Sequence, residues 1–458
     1  MTVTADHHGR GAGGAPGDHD VDPDAVHAAD PGLGSDAVTE AESVDPADYL
    51  RSYNGTAALR GVTELTRGAS YAVSRALRQT PRRNVEDATR WWRHVLGRRL
   101  PRWHNEHEIV FETPIARLRD FSQGSTDAVV PTLVLPPQAG HDSCIVDFQP
   151  RQSQMMTIRE AGLTRAFTLD WVGATAATST TTISDFVAVV DRAVEHCRTA
   201  TGRDTVNLVG DCQGGWLATI YAALHPEKVN TLTLAGAPID FHAGETPIGA
   251  SSRVMTQRFG QLPYRAMVAA GRGNMPGAFV LGGFIAIRPD AEITKHVDLL
   301  RNLDDDEAIA RYEAFEDWFK HTQDISGTFY LWLVEHLFAG NELIAGTLEV
   351  DGRRVDMRAI TCPLFLLGGA TDHITPPIQV FAAADHVSTP ASDVTRRTAP
   401  GGHLGLFMGS HALRHEWPPL MAEVAAHSAA PSTSGRASAN GNGSKTDAPR
   451  KNGKKKGS

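Results

Sequence analysis

Cys212 stands in the run Gly210-Asp211-Cys212-Gln213-Gly214-Gly215, between an apolar stretch at 205–210 and a helical pattern that continues to Leu224. A G-x-C-x-G turn between strand and helix reads as a nucleophile elbow with a thiol in place of a hydroxyl. Its glycines, Gly210 and Gly214 among them, answer a steric need, because neighbouring side chains in so tight a turn would collide with strand and helix. The turn lifts the sulfur to the helix N-terminus, where the helix dipole favours thiolate over thiol. The Gln213 backbone N–H then points to where an oxyanion would form. The bland alternative is a buried structural cysteine.

A thiol nucleophile needs a base, and the base needs a group to orient it. On a sheet with such an elbow, the chain order is nucleophile, acid, histidine. Downstream, 363–377 reads PLFLLGGATDHITPP, an apolar run followed by Asp372 in a glycine-rich turn. Beyond it, 400–409 reads PGGHLGLFMG, with His403 in a glycine-lined loop after a run at 393–398. Order, spacing and loop placement select Asp372 and His403. Asp240, His373, His411 and His415 stay open as rivals.

These residues need a scaffold that presents loops at one edge of a sheet. Runs at 130–135, 143–148, 164–170, 205–210, 229–235 and 363–368 read as buried strands. Helical stretches separate them, and in 182–200 Ile183, Phe186, Val187, Val190 and Val194 share one face. Strands alternating with helices predict an α/β architecture: a mostly parallel sheet covered by helices on both faces. Residues 241–357 break the alternation, being helical, charged and aromatic-rich, and read as an inserted cap. The predicted organisation is therefore core at 107–240, cap at 241–357 and core again at 358–428. Ahead of the core, 47–106 reads as a basic helical collar, with twelve Arg, no Lys and three acids between 51 and 103. Two readings of the collar stand: packing on the main domain with solvated arginines, or a surface for an anionic partner.

The ends differ from this body. Residues 1–46 hold ten Asp/Glu against one Arg, and 429–458 hold seven Lys/Arg against one Asp. Neither carries the apolar content that offsets chain entropy, so both are expected to be disordered. Of the net charge of −9, the body holds −6, which argues against a nucleic-acid binder. Four cysteines without a CxxC pair suggest neither a disulfide framework nor zinc. The polar N-terminus does not read as a signal peptide, and the apolar run 275–287 is shorter than the roughly 18–20 residues a membrane span needs. A cytoplasmic protein with reduced thiols is expected.

The motifs resemble those of polyhydroxyalkanoate synthases, especially the short two-subunit type. The resemblance runs over about 130–420: the GDCQGG box, 221–241 (YAALHPEKVNTLTLAGAPIDF), 338–357 (FAGNELIAGTLEVDGRRVDM), the TDHITPP turn and the GGHLGLF loop. It implies an α/β-hydrolase fold with an inserted helical cap, and Cys212 carrying an acyl chain with His403 activating it. Asp372 would be the partner of His403 or the base for the incoming hydroxyl. Such synthases carry an Asn-Arg/Lys-x-Tyr-like run after the strand corresponding to 143–148. This chain has Phe148-Gln149-Pro150-Arg151 there, so Phe148 or Gln149 N–H is the candidate second oxyanion donor. The implied activity is acyl transfer from hydroxyacyl-CoA to a growing polyester, with coenzyme A thioester as substrate and no cofactor or metal. The cap around 275–320 is also similar to intracellular polyhydroxyalkanoate depolymerases, so ester or thioester hydrolysis is the alternative. A non-enzymatic granule-associated protein is a second alternative. Implied partners are a polymer granule surface, a second synthase subunit and further copies of this chain, with no nucleic acid and no transmembrane segment.

Overall fold

The computed structural model describes residues 45–429, and the expected disorder of the two charged tails lies outside them. Eight strands form one sheet: β1 (Glu108–Glu112), β2 (Ala116–Asp120), β3 (Thr132–Leu135), β4 (Ala166–Trp171), β5 (Val206–Asp211), β6 (Val229–Ala235), β7 (Leu364–Gly369) and β8 (Val394–Ala399). Their spatial order is β1-β2-β4-β3-β5-β6-β7-β8. β2 runs antiparallel to both neighbours, and the pairings from β4 to β8 are parallel. This is the α/β-hydrolase fold.

Alternate residues of the central strands feed two cores. Leu133, Leu208, Leu364 and Leu366 join the apolar cluster on one face. Val134, Val209, Phe365 and Leu367 join the cluster on the other. Both faces being covered explains why these strands read as unbroken apolar runs. The helix at 183–201 packs on the first face and opens with a capping box, Thr182 and Asp185 bonding each other's backbone N–H. It ends at Gly202 in the left-handed conformation.

The sheet corrects two sequence expectations. The run 143–148 is not a sheet strand. Ser143–Val146 is a 3₁₀ turn capped by Asp142, and Asp147–Gln149 pairs with Gln152–Ser153 in a separate hairpin. Buried Asp147 ties this hairpin to the segment ahead of β1, its carboxylate accepting from His104 N, Asn105 N and Asn105 Nδ2. Conversely, β1 and β2 carry Glu and Arg among their apolar residues (EIVFE, ARLRD) and show no apolar run. Arg119 of β2 is neutralised by Asp170 of β4, 2.6 Å away, so an edge of the sheet buries charge.

Between β6 and β7 the chain is mainly helical. It includes helices at Pro247–Phe259, Leu262–Ala270, Gly277–Ile287, Pro289–Arg301 and Asp306–Phe319. The N-terminal hairpin, α1 (Pro46–Arg78) and α2 (Pro81–Leu96), lies on this insertion and not on the sheet domain. Gly61 and Gly68 let α1 approach Ile293 and Val297 of the 289–301 helix. Several arginines of the hairpin engage acids of the insertion, Arg60 with Asp290, Arg75 with Asp304 and Arg90 with Asp306, and just beyond it Arg98 meets Glu316. The outward face of α1 is instead apolar, with Leu59, Val62, Leu65, Val73 and Leu77 exposed.

Candidate active site

The elbow follows β5 directly. Cys212 has φ 50° and ψ −116°, a strained conformation for a residue with a side chain, and begins the helix at Gln213–Leu224. Close packing enforces it. A Cβ on Gly214 would sit 1.9 Å from Leu135 O, and one on Gly215 2.2 Å from the Ala237 side chain. On Gly210 it would sit 2.5 Å from Gly215 Cα. Cys212 N donates to Ala235 O at 2.8 Å, tying the turn to β6. Gln213 is the first helical residue, so its N–H has no partner within the helix.

His403 arrives from the loop after β8, and Asp372 from the loop after β7. His403 Nδ1 lies 2.7 Å from Asp372 Oδ2. Asp372 Oδ1 accepts from Ile374 N and Thr375 N at 2.9 and 2.8 Å, which fixes the carboxylate. The imidazole also lies beside the Cys212 side chain, both lining one cavity. Burial disfavours its protonation, but the Asp372 charge and Cys212 outweigh that and hold His403 well above the usual histidine range. The structure thus brings Cys212, His403 and Asp372 together, with His403 bonded to Asp372 and set beside Cys212. Such an arrangement can hold a thiolate beside an imidazolium.

The rivals lie elsewhere or do other things. Asp240 accepts from His242 N, Ala243 N and Asn341 Nδ2, a structural turn. His411 and His415 lie against each other with their rings tilted, and His411 faces Glu416. His373 lines the site cavity, but its Nδ1 faces Thr371 O and burial lowers its affinity for a proton. The other thiols are raised by burial, Cys144 and Cys197 strongly and Cys362 to about 12.

Phe148 and Gln149 do not join the site. They belong to the small hairpin, and neither lines the cavity around Cys212. The loop that reaches the elbow follows β3, because Leu135 O and Pro136 O are the atoms that Gly214 abuts. Its residues Ala139, His141 and Asp142 border the cavity. The missed signal is the Pro136-Pro137 pair, which ends the strand and opens this loop. The insertion holds the loop in place: Gln323 N donates to Gly140 O at 2.8 Å and Trp318 Nε1 to Asp142 O at 2.9 Å. His141 stacks on Trp318 and Phe319, and burial pushes its pKa down to about 4.

A cavity of about 570 Å³ opens above the sulfur. Trp216, Phe279, Phe284, Trp318 and Tyr330 make its walls apolar, and Leu50 and Asn54 of α1 border it as well. Among the described residues no three His, Cys, Asp or Glu could hold a metal ion, and no helix is long and apolar enough to cross a membrane.

A family profile described as "Protein of unknown function (DUF3141)" matches residues 96–437. The chain is 29% identical to the poly(3-hydroxyalkanoate) polymerase subunit PhaC of Haloferax mediterranei over 317 residues, covering 68% of this chain and 62% of that protein. It is 30% identical to the subunit of the same name from Allochromatium vinosum, covering 56% of this chain and 69% of that one. The chain thus spans somewhat under two thirds of the first of these relatives. An alpha/beta hydrolase fold protein from Nakamurella multipartita aligns over 69% of this chain and 99% of its own, with 15% identity and a TM-score of 0.37.

Proposed function

This chain belongs to the family of that profile and to the polyhydroxyalkanoate synthase-like α/β-hydrolases, and on that premise we propose that it is an acyltransferase polymerising hydroxyacyl groups from coenzyme A thioesters. The Cys212 thiolate attacks the thioester carbonyl. The oxyanion rests on Gln213 N–H and on an N–H of the loop after β3, where Pro136 and Pro137 have none and Gln138 onward do. The carbonyl re-forms, the coenzyme A thiolate leaves with a proton from His403, and the acyl group stays on Cys212. His403 then takes the proton of an incoming hydroxyl, whose oxygen displaces the sulfur and forms the new ester. Asp372 holds the imidazole with Nδ1 toward itself and Nε2 toward the reacting atoms.

The observation that carries this reading is the line from Cys212 through His403 to Asp372 beneath a largely apolar cavity. An acyl-sulfur intermediate suits such a cavity, because thioester exchange is nearly isoenergetic and largely apolar walls disfavour water beside the sulfur. The test is incubation with 3-hydroxybutyryl-CoA, following free coenzyme A together with product mass. Coenzyme A release with a lengthening polyester supports the reading. Release with only monomeric hydroxy acid, or no release, overturns it.

The reading extends to a polymer particle as partner. Support comes from the exposed apolar face of α1, while Arg60, Arg75, Arg83 and Arg90 of the hairpin are engaged by acids of the insertion. An exposed apolar helix face favours contact with an apolar phase.

A further inference from the structure

Asp211, the residue before the nucleophile, is fully buried at the end of β5. Its one hydrogen bond comes from Gln154 Nε2, which donates to Oδ1 at 3.1 Å. Among the described residues, neither Asp211 Oδ2 nor Gln154 Oε1 has a hydrogen-bond partner. Two orphaned oxygens on two groups that already face each other are costly, since each forfeits its hydration. A single proton removes both faults. A carboxylic acid and a primary amide close a cyclic pair, N–H to carbonyl oxygen on one side and O–H to amide oxygen on the other.

We infer that Asp211 works as a neutral carboxylic acid, its Oδ2–H donating to Gln154 Oε1, and that loss of this proton suppresses Cys212. Complete burial favours the neutral form and pushes the pKa of Asp211 up to about 8, with His403 the one charged group acting against the shift. The charged and titratable groups around it are therefore Cys212 beside it and His403 from the loop after β8, with Gln154 supplying the amide from the helix at 154–160. A carboxylate there would lie one residue from the sulfur, in a medium that screens poorly. It would disfavour the thiolate and the oxyanion that forms beside it, while binding His403 more firmly as imidazolium. Asp211 touches no reacting atom, so it is a positioning residue. Gln152 Nε2, from the hairpin preceding Gln154, donates to Met408 O at 2.7 Å in the short helix after His403. One segment thus braces both the nucleophile strand and the histidine loop.

The inference rests on Cys212 being the nucleophile, and its experiment separates the two. Infrared spectra of the full chain between pH 6 and 10 should show a protonated-carboxyl C=O stretch that fades near pH 8 and is absent from Asp211→Asn. Gln154→Met keeps the acid, removes its partner and should shift the same band, which assigns it where Asp211→Asn does not fold. In parallel, rapid-quench mass spectrometry with acyl-CoA should show the wild-type acyl-enzyme rate falling about tenfold or more from pH 7 to pH 9. Asp211→Asn, which keeps both bonds of the pair, should lose that fall. No such band, or the same alkaline fall in Asp211→Asn, overturns the inference. A band without any adduct on Cys212 upholds the neutral Asp211–Gln154 pair but overturns its control of Cys212 together with the function proposed above.

Discussion

Of the four thiols, Cys212 alone opens into the cavity and has an imidazole beside it, whereas Cys144, Cys197 and Cys362 are held as thiols by burial. Alkylation with iodoacetamide at pH 7 should therefore place one label, on Cys212, and Cys212→Ala should abolish it. A label mapping to another cysteine would refute the assignment. Asp372 presents one oxygen to His403 and the other to two backbone N–H groups, the posture of an orienting carboxylate. Asp372→Asn should consequently slow acylation and transfer together, by up to roughly 10⁴-fold, as for the aspartate of serine triads. Rapid-quench measurement decides, since an acyl-enzyme accumulating in Asp372→Asn would mean that Asp372 acts on the hydroxyl step alone.

At the scale of elements, the insertion holds a buried charge cluster next to the cavity wall. Lys295 Nζ lies 2.5 Å from Glu316 Oε1 and 2.5 Å from Glu292 Oε2, while Arg98 after α2 reaches Glu316 at 3.1 Å. The cluster joins the 289–301 and 306–319 helices to the N-terminal hairpin. The second of these helices carries Trp318 and Phe319 into the cavity. Glu316→Gln should cost about 1–3 kcal/mol in denaturant unfolding, below the full cost of breaking a buried pair because Glu292 still reaches Lys295. Lys295→Met combined with Glu316→Leu should recover most of that loss, and a double variant weaker than either single change would show that the pair stabilises on balance.

In the whole molecule, the cavity is walled by parts that lie far apart in the chain. Leu50 and Asn54 of α1 border it, and Tyr53 OH donates to Ile287 O at the end of the 277–287 helix. The N-terminal hairpin is thus part of the substrate enclosure. Leu50→Trp should narrow that enclosure and lower kcat/KM for a six-carbon hydroxyacyl thioester about tenfold more than for a four-carbon one. Equal effects on both chain lengths would place Leu50 outside the acyl path.

The elbow, the strand–helix alternation and the order Cys212, Asp372, His403 were legible in the sequence because each depends on contiguous residues or on chain order. Residues 205–224 carry their own strand, turn and helix, and the β-strands buried on both faces announce themselves as apolar runs. The charged strands β1, at the sheet edge, and β2 beside it were not legible, since Arg119 is neutralised by a residue 51 positions away. Nor was the fate of 143–148, where loop residues satisfy Asp147 and turn an apolar run away from the sheet. That displacement removed Phe148 and Gln149 from the site and put the loop after β3 beside the sulfur. Asp372 and Asp240 look equivalent as residues that follow strands, and only the fold shows His403 bonded to Asp372 while a turn occupies Asp240. The hairpin's arginines likewise found acids more than two hundred residues on. The pairing of Asp211 with Gln154 spans 57 residues. Local sterics and hydrophobic patterning are written residue by residue, whereas the neutralisation of a buried charge depends on whatever the folded chain brings to it.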